Sequence, residues 1–195
     1  MMEAKPDFTI QPSERVRTMH PQKFAMWLFM ISVTMLFVAF TSAYLVKKGA
    51  GNWEFIPMPS MFLYSSIIIA LSSLSMHWAY ISAKRDSLFQ IRFATAVTGI
   101  LAVGFVSTQI IAADELVERG VHLVGNPAGS FIYILGLVHT AHLIGGMVFL
   151  TIVLVSAFKS QVHSKRLARI EICTTYWHFL GGLWLYLYIF LIYNN

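Results

Sequence analysis

Five stretches of this chain are each long and apolar enough to cross a lipid bilayer, and they restrict the possible folds more than any other feature. They cover residues 24–46, 60–83, 93–113, 130–158 and 172–193, and a transmembrane helix needs about 20 mainly apolar residues. Only 12% of the residues are charged, against about a quarter in a soluble domain. Because backbone groups in lipid must bond internally and no stretch alternates like a strand, the sequence predicts an all-α polytopic membrane bundle of five transmembrane helices.

The loops between these stretches predict the orientation of the chain. Eleven of the fourteen Lys and Arg residues fall in the N-terminal tail, in the loop after the second stretch or in the loop after the fourth. The opposite side holds only Lys47, Lys48 and Arg119. Because Lys and Arg accumulate in cytoplasmic loops, we expect the N-terminus inside and the C-terminus outside. The same bias explains the net charge of +5 without a nucleic-acid partner.

The domain organisation follows from the same division. Residues 1–22 are polar and lack the short apolar core of a cleaved signal peptide, so they are predicted to be a cytoplasmic tail. Residues 23–195 are predicted to form one membrane domain. The single cysteine, Cys173, excludes an internal disulfide and a cysteine-rich metal site, and we expect it to be a small buried apolar residue.

Few ionisable side chains fall inside the predicted spans, and each is a candidate functional group because placing it in lipid is costly. They are Glu171, at the inner end of the fifth span, and the histidines His77, His139, His142 and His178. No Asp or Glu lies in the interior of a span, which argues against a proton carrier with a carboxylate in its path. Unbroken spans without midplane charges also argue against a small transporter.

Two roles remain open for the four histidines. Histidines on facing helices can hold a b-type haem, and His77, His139, His142 and His178 would then be the ligand candidates. His139 and His142 are three residues apart and share a helix face, so they cannot both ligate one haem. The alternative is a set of neutral, buried histidines that hydrogen-bond to a neighbouring helix or to a lipid headgroup.

The fifth span carries large rings beside small residues. Trp177, Gly181, Trp184 and Tyr188 recur at helical spacing, and we expect Gly181 and Gly182 to permit a close helix contact. The fourth span is a suitable partner because it contains the glycines Gly136, Gly145 and Gly146.

Other polar groups are predicted to act between helices. Glu171 and His178 lie seven residues apart and nearly on one helix face. They either form a polar face against a helix or a lipid headgroup, or Glu171 caps the start of the helix, where the dipole favours a carboxylate. Gln109 is expected to hydrogen-bond across helices, as are the serines Ser72, Ser73 and Ser75.

Taken together, these motifs resemble subunit III of the haem-copper terminal oxidases over residues 20–193. Glu171 followed by Tyr-Trp-His-Phe at 176–179 and Trp-Leu-Tyr-Leu-Tyr at 184–188 is similar to the family's closing helix. The run at 135–150 is similar to the family's paired-histidine helix, and the start of the first span at 23–29 looks like the short bacterial form with five helices. Gln109 stands where the family usually has a glutamine.

The chain also departs from that family at three acidic positions. Family members often have a glutamate directly after the position of Ser32, an aspartate near Gly181 and a glutamate near Ala112. This chain has Val33 after Ser32 and no acidic residue directly beside Gly181 or Ala112. The resemblance therefore implies a packing role and gives no support to direct proton handling.

The resemblance implies a non-catalytic subunit without a metal, with haem and copper in partner subunits. It implies packing against oxidase subunit I and other subunits, phospholipid bound between helices, and a bacterial plasma membrane in which the complex reduces oxygen to water and pumps protons. Cytochrome c is preferred as the donor; a quinol oxidase subunit III and a five-helix b-type cytochrome anchor are the alternatives. The residues expected to bind lipid or pack helices are Glu171, His178, Trp177, Trp184, His139, His142, His77 and Gln109.

Overall fold

A computed structural model describes residues 21–194 except positions 52, 54, 86, 124 and 159–164. Nearly all of the described residues belong to five helices: α1 (Pro21–Gly49), α2 (Met61–Lys84), α3 (Leu88–Glu118), α4 (Pro127–Phe158) and α5 (Lys165–Asn194). All five are long and apolar enough to cross a membrane, so the predicted all-α membrane bundle is confirmed. The odd number of spans places the two ends of the bundle on opposite sides of the bilayer. The N-terminus-inside orientation stays a prediction, and residues 1–20 of the predicted tail lie outside the described residues.

Four of the helices close a ring, and α1 packs outside it. α2 packs against α3, α3 against α4 and α4 against α5, while α5 returns to α2. α1 lies against α4 and α5 and buries Phe37 and Val33 there. The outward faces remain apolar, with Ile100 and Leu137 each 72% exposed. In a membrane protein such faces meet lipid or a partner subunit.

Local sequence signals explain where the long helices begin and end. α3 runs five residues beyond the predicted span at each end, and its outer end therefore includes acidic residues that were expected in a loop. It stops at Gly120, whose φ of 79° suits a glycine, while the Val121 amide donates to the Leu116 carbonyl at 2.9 Å. α4 starts where the Asn126 side chain accepts the Ala128 amide at 2.8 Å, with Pro127 in the first helical position.

Polar contacts hold α1 against α5 along its length. At the inner end, Lys23 Nζ lies 2.7 Å from Glu171 Oε2. Farther along, Thr41 Oγ1 and Tyr186 Oη are hydrogen-bonded at 3.1 Å. At the outer end, the Tyr44 hydroxyl donates to the Asn194 carbonyl at 3.1 Å. Tyr44 is fully buried, so its expected role as an interfacial anchor is wrong.

Candidate functional site

Two tryptophans of α5 donate hydrogen bonds to serines of α2. Trp177 Nε1 donates to Ser72 Oγ, and Trp184 Nε1 donates to Ser66 Oγ, each at 3.1 Å. Both indoles are almost completely buried, and a buried indole N–H needs an acceptor. We call this arrangement of Trp177, Trp184, Ser66 and Ser72 the Trp–Ser seam. It confirms that the ring stripe of α5 makes a tight helix contact, but the contact is with α2.

The same serine row continues the contact from α2 to α3. Ser72 Oγ donates to the Thr98 carbonyl at 3.4 Å, and Ser75 Oγ lies 2.6 Å from Thr98 Oγ1. Ser73 Oγ is hydrogen-bonded to His178 Nδ1 of α5. The prediction that Ser72, Ser73 and Ser75 bond across helices is therefore confirmed. Polar groups at membrane depth are matched within the chain along this side of the ring.

His77 and His178 lie side by side on the surface where α2 meets α5. Their ring centroids are 5.6 Å apart. The His77 side chain is exposed, whereas His178 is half-buried and fixed by Ser73. Tyr80 is next to His77, with centroids 6.3 Å apart. The pair forms a small polar patch on the outside of the bundle.

His139 lies at the point where α4 meets three other helices. Its ring has centroid distances of 6.4 Å to Phe37 of α1, 5.9 Å to Phe105 of α3 and 5.2 Å to Trp184 of α5. The side chain is fully buried, and neither ring nitrogen has a hydrogen-bond partner among the described residues. The expected burial is confirmed, and the expected hydrogen bond to a neighbouring helix is wrong.

His142 occupies a different environment one turn along α4. Its Nδ1 lies 2.7 Å from the Val138 carbonyl of its own helix. Its ring contacts Phe29 and Phe37 of α1, with centroids 6.3 and 5.8 Å apart. Both His139 and His142 contact Phe37, which confirms that they share a face of α4.

One glycine of α4 makes the close contact with α5 that the sequence predicted. A Cβ placed on Gly146 would lie 2.9 Å from Leu180 Cδ1 and 3.4 Å from Tyr176 Cε1. Gly181 of α5 faces α2, with Ile69 Cγ1 at 3.7 Å from its Cβ position. Gly182 is exposed and has no atom within 4 Å of that position. The expectation that Gly182 permits a helix contact is wrong, because it points away from both neighbours of α5.

Glu171 pairs with Lys23 of α1 and does not cap its helix. α5 begins at Lys165, nearly two turns earlier, so the capping interpretation is wrong. The Lys23–Glu171 pair is about one-third exposed and joins the inner ends of α1 and α5. The polar-face interpretation holds for Glu171, with a lysine of another helix as its partner.

Gln109 does not bond across helices as expected. Its Nε2 is buried and has no hydrogen-bond partner among the described residues. It lines a cavity of about 190 Å³ between α3 and α4, which also contacts Gly136 and Thr140. The amide therefore lies beside empty space where a helix contact was expected.

A groove at the inner ends of α1, α4 and α5 was not foreseen from the sequence. Its volume is about 450 Å³. The floor is apolar, and Arg169 and Gln22 stand at its polar edge. Its lining is made by Gln22, Ala25, Met26, Phe29, Phe149, Ile152, Arg169 and Ile172. The basic bias of the inner loops is the only sequence signal that points to it.

Among the described residues, no group of three or more His, Cys, Asp or Glu side chains could hold a metal ion. The histidines instead fall into two separate pairs: His77 beside His178 on α2 and α5, and His139 near His142 on α4. Cys173 is buried, as expected. The geometry is that of a packing scaffold with polar contacts between helices.

Comparison with known proteins agrees with this description. The family model described as cytochrome c oxidase subunit III matches residues 6–195. Proteins named cytochrome c oxidase subunit 3 from Bacillus sp. (strain PS3) and Corynebacterium diphtheriae are 23% and 25% identical. The matches cover 83% of this chain in both cases, and 80% and 82% of the relatives. The protein of that name from Oryctolagus cuniculus is 27% identical over 86% of this chain and 67% of its own length. With a family match over nearly its whole length, this chain belongs to the cytochrome c oxidase subunit III family.

Proposed function

We propose that this chain is a non-catalytic integral membrane subunit of a cytochrome c oxidase and supports the catalytic subunit by packing and lipid binding. The family match over residues 6–195 is the observation that carries the proposal. The five-helix bundle agrees with it, because each helix is a candidate membrane span. Oxygen reduction and proton pumping would belong to the assembled complex in a bacterial plasma membrane.

The environment of the histidines supports a non-catalytic role. His139 is enclosed by Phe37, Phe105 and Trp184 and has no open face that a porphyrin could approach. His178 is hydrogen-bonded to Ser73. Haem and copper are therefore assigned to partner subunits, in particular to subunit I. This arrangement also disfavours the alternative of a five-helix b-type cytochrome anchor.

The inner groove supports lipid binding. Phe29, Phe149 and Ile152 offer an apolar surface to an acyl chain, while Arg169 lies at the cytoplasmic end in the predicted orientation. Basic pockets between transmembrane helices on that side bind anionic headgroups. We assign this groove to a phospholipid with a negatively charged headgroup.

The direct test of the proposed function is a reduced-minus-oxidised absorption spectrum of the native assembly purified through a tag on this chain. A co-purifying complex with a-type haem is expected if cytochrome c is the electron donor. A quinol oxidase would reveal itself by turnover with quinol and not with reduced cytochrome c. A lone b-type signal that stays with the chain after its partners are removed would overturn the proposal.

The lipid assignment has its own test. Arg169→Gln should lower the amount of anionic phospholipid retained per purified complex, as measured by quantitative lipid mass spectrometry. Arg85→Gln is the matched control, because Arg85 is also exposed near the inner side and does not line the groove. Equal lipid retention in the two variants would refute the assignment.

A further inference from the structure

A notch opens on the outer surface of the bundle between the outer halves of α3 and α4. It holds about 190 Å³ of empty space. The exposed side chains Ile110 and Leu137, which are 59% and 72% exposed, stand at its edges. We call it the outer notch, lined among others by Val106, Gln109, Ile110, Gly136, Leu137 and Thr140.

Gln109 brings an unmatched donor to this notch. Its Nε2 is buried without a hydrogen-bond partner among the described residues, although a side-chain amide has two N–H groups to donate. Gln109 lies four residues from Ala113, the outer end of the predicted span, which places it about 6 Å inside the hydrocarbon layer. Lipid tails at that depth offer no acceptor. A protein side chain or backbone carbonyl does.

The backbone of α4 is accessible at the same place. A Cβ on Gly136 would meet no atom within 4 Å, and Thr140 follows one turn later. Small residues one turn apart let a second helix approach closely in a membrane. Gly146 of the same helix shows the filled case, because Leu180 of α5 already packs against it. Gly136 has the open space and no helix of this chain to fill it.

We propose that the outer notch receives a transmembrane helix of another oxidase subunit, with a hydrogen-bond acceptor opposite Gln109. This inference rests on the proposed function. The incoming helix places one side chain in the space beside Gly136 and Thr140, and its acceptor takes the Gln109 amide proton. An acyl chain fits the apolar walls but leaves the amide unmatched, so the notch favours a protein occupant over a lipid.

Photo-crosslinking in the native complex tests the occupant. A photoreactive amino acid at position 137 should form an adduct with a transmembrane peptide of a co-purifying oxidase subunit, identified by mass spectrometry. A probe at Met35 of α1, which is 68% exposed, reports the background from abundant membrane proteins. A lipid adduct alone, or no polypeptide adduct above that background, would overturn the proposal.

Matched glycine substitutions provide a second test. Gly136→Leu and Gly145→Leu add the same side chain to α4, and neither Cβ position has an atom within 4 Å. Gly136→Leu should lower recovery of this chain in the purified complex several-fold, and so should Gln109→Leu. Gly145→Leu should leave recovery unchanged, since only Gly136 lines the notch. Equal recovery of all three variants would contradict the proposal.

The two levels of the account fail differently. A wild-type assembly without oxidase haem would refute the proposed function, whatever position 137 captures. An assembly with oxidase haem and no polypeptide adduct at position 137 would refute only the assignment of the outer notch.

Discussion

The Trp–Ser seam and the outer notch both place polar groups at membrane depth, but they treat them in opposite ways. In the seam, Trp177 and Trp184 each find a serine of α2 at 3.1 Å. In the notch, Gln109 Nε2 has no partner among the described residues. The seam is complete within this chain, whereas the notch needs a second molecule to be complete.

His139 forms a third case between these two. Its ring nitrogens are unmatched like Gln109 Nε2, but the side chain is fully buried and surrounded by aromatic rings. An incoming helix has no path to it. An unmatched polar group therefore indicates a partner only where it also has open space beside it, as Gln109 has.

The largest expected effect comes from removing a ring of the seam. Trp177→Ala should lower the free energy of unfolding by about 3–5 kcal/mol, because a fully buried indole leaves a cavity between α5 and α2. The thermal unfolding midpoint of the purified complex measures the loss. Tyr193→Ala is the control, since Tyr193 is 83% exposed, and a similar shift in both variants would contradict the packing role of the seam.

Filling the glycine contact between α4 and α5 should have the next largest effect. Gly146→Leu should destabilise the bundle by about 1–3 kcal/mol, because Leu180 Cδ1 already lies 2.9 Å from the position of a Cβ. The control is Gly182→Leu, where no atom lies within 4 Å. Folded protein in detergent, measured by size-exclusion chromatography, should fall for Gly146→Leu alone. Loss of both variants would mean that Gly182 also faces a partner.

Removing one acceptor of the seam should have a smaller effect. Ser66→Ala leaves the Trp184 indole N–H without its acceptor and should reduce stability by about 1 kcal/mol. Ser107→Ala is the matched control, because Ser107 is exposed and bonds only to the Val103 carbonyl of its own helix. The two thermal midpoints should differ, and equal midpoints would remove the hydrogen bond from the account.

The smallest effect is expected at His139, and its sign separates this group from the seam. His139→Leu replaces a buried ring without hydrogen bonds by an apolar side chain of similar size. Removing an unmatched polar group in this way is nearly neutral or stabilising. The thermal midpoint should therefore stay or rise, with an unchanged oxidase spectrum. A clear fall in the midpoint would show that His139 has a partner in the assembled complex.

The number and position of the helices could be predicted because each span has to satisfy the same length and polarity requirement. Four of the five helices enclose the predicted span, and α2 is displaced by one residue. The serines of α2 were also predictable, because hydroxyl groups in lipid need partners. These conclusions depend on chemistry that acts within one helix.

The rotation of each helix about its axis could not be predicted. Gly181 and Gly182 look equivalent in the sequence, yet one faces Ile69 and the other faces outward. A helix that is apolar all round carries no stripe that marks its inner face. The pairing of Lys23 with Glu171 joins residues 148 positions apart, and no local pattern indicates it. Gln109 was predicted as a helix contact, but the sequence did not show that its partner lies outside the bundle.

One measurement tests the contrast between the seam and the outer notch most directly. It is the amount of this chain recovered in the purified complex divided by its amount in the membrane, for Ser66→Ala and Gln109→Leu. We predict that Ser66→Ala lowers the amount in the membrane and preserves the ratio, whereas Gln109→Leu preserves the amount and lowers the ratio several-fold. An unchanged ratio in Gln109→Leu would contradict the account, because the notch would then contribute nothing to assembly.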